Sequence, residues 1–226
     1  MEIANRREQV NISDSQTART RALLACGILI APLFYAVALV EVLVRPGFDI
    51  RRMAISSLTL GDLGWVQIAN FEITGLLLIA CALGIRRALR GRRGGSWAPI
   101  LLGVAGAGTI VAGIFHPDPA LGFPPGAPAG MPSTMSAQAT IHQLASMATF
   151  ICTIATCFVM ARKFAGDRQG AWMAYCFASG AAAPVLLILA MVDREWVGVL
   201  LAAMVAVAFG CVSVVAARLR ADVQSA

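Results

Sequence analysis

Six apolar stretches, at roughly 22–44, 66–85, 97–115, 139–161, 171–192 and 195–217, constrain this chain more than any other feature. Each has about the 20 residues that an α-helix needs to cross the hydrocarbon core of a bilayer. Helices follow because in lipid each backbone N–H and C=O must be satisfied within its own segment. The alternating pattern of a membrane β-barrel is absent. With 58% hydrophobic and 13% charged residues, the chain falls far short of the polar surface a soluble domain carries. The expected fold class is therefore all-α, a polytopic integral membrane protein with six transmembrane helices. Residues 1–20 are expected to form a mobile cytoplasmic tail, and 21–226 a single six-helix membrane domain. The first apolar stretch is too long for the core of a cleaved signal peptide and reads as a retained helix.

Basic residues set the expected orientation, because they accumulate on the cytoplasmic side. With six spans, one side holds Arg6, Arg7, Arg19, Arg21, Arg86, Arg87, Arg90, Arg92, Arg93, Arg162, Lys163, Arg168, Arg218 and Arg220. The other holds only Arg45, Arg51, Arg52 and Arg194. Both termini are thus expected to be cytoplasmic and the protein to sit in the plasma membrane. The net charge of +6 is an inner collar divided among short loops, which argues against nucleic acid as a partner. Trp65, Trp97, Trp172 and Trp196 fall at helix ends, where an indole sits half in the headgroup layer. The six cysteines all lie within apolar stretches, which reads as buried packing rather than a disulfide framework.

The third stretch carries small residues four apart, Gly103 with Ala107 and Ala105 with Thr109 and Gly113, a spacing that lets helices approach closely in lipid. It ends at "IFHPDP". A residue before proline is pushed out of the helical region, so the helix should stop near Phe115 and leave His116 and Asp118 on one side of an extended exit. The only other histidine, His142, heads a stripe with Ser146, Thr149, Thr153 and Thr156 on one helix face. Such a stripe should face a wet cavity, unless its hydroxyls merely bond their own helix's carbonyls. The second stretch adds Gln67, Asn70 and Thr74 at helical spacing, with Glu72 nearly opposite Asn70. Glu72 is a functional candidate as an intramembrane acid, while Glu41 reads as snorkelling. Outside, Arg51 and Arg52 suit a phosphate or carboxylate headgroup, or else pair with Asp49 or Asp62. Ser56 follows them, and a serine near a histidine and an acid suggests acyl transfer.

The run "FDIRRMAISSLTLGDLGW", then "GIFHPDP", then "IHQLASMATF", resembles a bacterial and archaeal membrane family catalogued as domain of unknown function 998. The resemblance implies six helices and assigns its motif positions to Arg52, Ser56, Asp118 and His142; it implies no activity. A distant likeness to membrane hydrolases of the alkaline ceramidase kind is analogy only, since the chain has two histidines and no His-x-x-x-His pair.

Three functions follow. The first is a membrane-embedded enzyme acting on a lipid or isoprenoid from the outer leaflet. Its catalytic residues would be His142, Asp118, Ser56 and Glu72, and its substrate contacts Arg51, Arg52, Asn70, Ser146 and Thr149. His116, Asp118 and His142 would hold a divalent metal such as zinc, three ligands leaving a fourth position for water. The second is a transporter, sensor or assembly subunit, in which Pro184 would kink the fifth helix. The third is a redox carrier with both histidines on a haem.

Overall fold

The computed structural model describes residues 2–224, with side chains from Asp14 onward. Six long α-helices dominate it: α1 Glu2–Val44, α2 Gly64–Ala88, α3 Trp97–Ile114, α4 Ala137–Gly166, α5 Gly170–Val192 and α6 Val197–Gln224. All six are long and apolar enough to cross a membrane, α1 over Asp14–Val44. The all-α, six-span reading therefore holds. The polar residues read as a tail continue α1 as helix back to Glu2.

Each helix packs against its neighbours in sequence, and α6 closes the ring on α1. At that seam the Tyr35 hydroxyl donates to the Ala202 carbonyl and the Ala31 N–H donates to Ser213 Oγ at 3.1 Å. At the end where the chain both starts and finishes, Arg21 donates to Gln224 Oε1 at 3.1 Å. Three indoles ride exposed at helix starts, Trp65, Trp97 and Trp196, as their amphipathic rings require.

Of the two rows of small residues expected on α3, Ala105, Thr109 and Gly113 are buried in the bundle and the other row is not. Gly103 has nothing near it and Ala107 is exposed. Gly106 instead meets Gly75 of α2 so closely that a methyl group on either would lie 2.7 Å from the other's carbonyl oxygen. Gly108 lies equally close to α4 at Ala145 and Thr149, and Gly113 to Phe71 and Glu72. α3 is thus wedged between α2 and α4, with its C-terminus held against both. Pro184 lies inside α5 and Pro32 inside α1, and both helices continue through them.

Opposite the chain ends, the long loops 45–63 and 115–136 fold into a cap with its own apolar cluster of Met53, Leu58 and Phe123. Arg45 ties it down. Its guanidinium pairs with Glu41 at 3.2 Å, donates to the carbonyls of Leu58 and Leu60, and lies 5.1 Å above the Phe123 ring. Glu41 does not snorkel as its sequence position suggested; it is 3% exposed, because Arg45 one turn on supplies its counter-charge inside the protein. Near the tip, Leu121 and Gly122 donate back to the carbonyls of Gly130 and Pro128.

Candidate functional site

α3 stops where the prolines require it. Phe115 has left the helix with φ −100° and ψ 123°, and the last carbonyls of α3 have no N–H ahead to receive them. His142 of α4 reaches across to this end. Its Nδ1 lies 2.9 Å from the Ala112 carbonyl oxygen and 2.8 Å from that of Phe115. Carbonyl oxygens only accept, so Nδ1 carries a proton and donates to them. In the neutral ring the lone pair is then on Nε2, whose neighbour is Ser146 Oγ at 3.4 Å.

Nε2 and Ser146 border a cavity of about 340 Å³ at the capped end of the bundle, to which every helix contributes a wall. The volume falls within the range of small-molecule sites. Phe34, Phe71, Phe150, Leu187, Leu201 and Phe209 make most of its lining apolar. Its polar lining residues are His142, Gln143, Ser146 and Thr149 on α4, Thr109 on α3, Ser56 from the loop and Arg194 from the turn between α5 and α6. The sequence reading found His142, Ser146, Thr149 and Ser56 but passed over Arg194. Its signal was present, since it is one of four basic residues on the side that the charge rule leaves nearly bare.

The remaining expected site residues lie elsewhere. Asp118 accepts the Ser136 N–H at 2.9 Å, and Ser136 in turn caps α4 by accepting from Ala139 at 3.0 Å. The hydrogen bonds from Ser136 hold the Asp118 carboxyl below the usual carboxylate range. His116 is tied through Nδ1 to Gln138. Both fasten the loop to the start of α4, and neither lines the cavity. Among the described residues, no three His, Cys, Asp or Glu side chains group as metal ligands. His116, Asp118 and His142, expected to hold a divalent metal, are not such a group: Nδ1 of His142 faces α3, while Asp118 and His116 face the start of α4. Glu72 lies on the α2–α3 contact against Gly113, outside the cavity lining. Asn70 donates to the Phe34 carbonyl at 3.1 Å and to Gln67 Oε1 at 3.0 Å, so it joins α2 to α1 rather than facing the cavity. Arg51 takes the pairing alternative, bonding Asp49 at 2.9 Å, which holds the Asp49 carboxyl low. Arg52 is exposed on the same loop. That loop is seated on α6, where the Gly198 N–H donates to the Arg51 carbonyl at 2.9 Å.

Fold and cavity together define a class, a six-helix integral membrane protein with a chamber at one end of its ring. Within that class the chain belongs to the family described as Protein of unknown function (DUF998), whose pattern matches residues 28–218. Comparison with curated proteins and with solved structures gives no match.

Proposed function

We propose that this protein is a membrane-embedded enzyme that takes up a lipid or isoprenoid amphiphile into the chamber from the outer leaflet of the plasma membrane. One observation carries the reading: a chamber lined mostly by apolar side chains has a positioned imidazole nitrogen, Ser146 and Arg194 among its few polar groups. An amphiphile matches that division, its chain among the phenylalanines and its headgroup near His142 and Arg194. Arg194 supplies a cation for a phosphate or carboxylate. The scarcity of basic residues at the capped end supports placing it outside and both termini in the cytoplasm.

A binding or transport protein without chemistry is the second reading, favoured by the fact that His142 also serves as the cap of α3. The first test is occupancy. Native mass spectrometry of the protein released from native-membrane nanodiscs should show a stoichiometric lipid, lost when Leu201→Trp fills the chamber. An unliganded wild-type protein, or a lipid that Leu201→Trp leaves in place, would sink the reading.

A further inference from the structure

α4 carries five hydroxyl side chains, and four behave alike. Thr140, Thr149, Thr153 and Thr156 each donate to the carbonyl four residues back, and Thr149 shares its proton with the Ala105 carbonyl of α3 at 3.1 Å. This is how a hydroxyl is ordinarily satisfied in a helix without water. Ser146 departs from the pattern: its hydroxyl is directed at His142 Nε2, one turn earlier on the cavity face. His142 itself is fixed by two carbonyls so that Nε2 must be the accepting nitrogen. A hydroxyl beside a base whose far nitrogen is held by an acceptor is the arrangement that activates a nucleophile. Here two backbone carbonyls at a helix C-terminus take the place of the orienting acid. They also favour the positive ring that forms when Nε2 is protonated.

We propose that Ser146 and His142 are a nucleophile and its base, and that they transfer the acyl group of a carboxylic ester carried by the amphiphile in the chamber; this rests on the enzyme reading above. Ser146 Oγ attacks the ester carbonyl carbon while its proton passes to His142 Nε2. The bond from that carbon to the alcohol oxygen then breaks, and the departing oxygen takes the proton from Nε2. An acyl-serine and a free alcohol remain. Water, or the hydroxyl of a second lipid, attacks the acyl carbon and gives its proton to Nε2. Ser146 Oγ leaves and recovers that proton, so the enzyme returns unchanged with no oxidation or reduction. Nδ1 keeps its proton throughout. The separation of 3.4 Å is longer than a tight hydrogen bond, as unliganded sites often are. Ser56 also lines the chamber, but its known tie is through its backbone carbonyl, which accepts from Thr59.

An alkyl fluorophosphonate, which traps serines activated in this way, is the probe. Wild-type protein in nanodiscs is labelled and the adduct mapped by tandem mass spectrometry, with the bound lipid counted by native mass spectrometry on the same samples. The adduct is expected on Ser146. Ser146→Ala should take none, and His142→Gln should react on the order of 100-fold more slowly, the usual size of a general-base contribution. Size-exclusion chromatography and a cooperative melting transition show whether each variant is folded. An unmodified Ser146 in a wild-type protein that holds lipid overturns the acyl-transfer proposal and leaves lipid binding standing. So does an adduct on Ser56, or a rate indifferent to His142→Gln. A wild-type protein with neither lipid nor adduct overturns both. The wild-type mapping decides the matter even where a variant does not fold.

Discussion

Arg45 shows what one buried side chain can organise. It is 8% exposed, and it neutralises Glu41 while holding the loop through two carbonyls. Removing one member of such a pair strands the other's charge, which costs roughly 3–5 kcal/mol, whereas replacing both by apolar groups is often near neutral. Arg45→Met should therefore lower the unfolding midpoint in detergent sharply, and adding Glu41→Leu should recover most of the loss. Equal damage from the single and double variants would show that the loop bonds, not the ion pair, dominate. Asp118 gives a pH signature. Its carboxyl is held below its ordinary value of about 3.9 in the folded protein, so its contribution is present above that value. The contribution fades as pH falls through the lowered folded value. Asp118→Asn should flatten the acid limb of stability measured by hydrogen exchange at residues 117–139, and leave neutral-pH lipid occupancy unchanged. His142 and Ser146 were legible in the sequence because helical spacing puts them on one face. The bond from Ser136 to Asp118 was not legible, because it spans 18 positions across the loop and has no local signal.

Among the elements, α3 determines where the site can form. Its two close contacts, Gly106 on Gly75 and Gly108 on α4, bring its C-terminus within reach of His142. Overpacking at such a contact costs about 1–3 kcal/mol. Gly106→Val should lower thermal stability by that order and weaken lipid occupancy with it. Gly103→Val, on a face with nothing near, should be close to neutral. A reversed ranking in melting experiments would refute the assignment of faces. The helix and its stop at the prolines were readable from composition and from the His-Pro-Asp-Pro exit. The buried row of Ala105, Thr109 and Gly113 was readable too, but the contacts of Gly106 and Gly108 were not, because several glycine faces share one helix and the choice between them belongs to the neighbours.

For the whole molecule, the six spans were the most legible feature, since length and apolarity in lipid admit few alternatives. The chamber was half legible: the stripe on α4 indicated a wet face, but nothing local announced that Arg194 and the loop at Ser56 would meet it. Topology is open to a direct check. A reporter in the 116–136 loop should be read outside the cytoplasm and one at residue 168 inside; the opposite outcome would move the chamber to the inner leaflet.

The closure of α6 on α1 also bears on how the protein is made. Every helix supplies part of the chamber wall, and α6 is synthesised last. Until it is delivered, Tyr35 and Ala31 lack the partners that Ala202 and Ser213 later supply. The chamber therefore cannot be complete before α6 is in place. A membrane lipid already lying against the first five helices can be enclosed as α6 arrives, so the first occupant of each molecule would be acquired during insertion rather than selected afterwards.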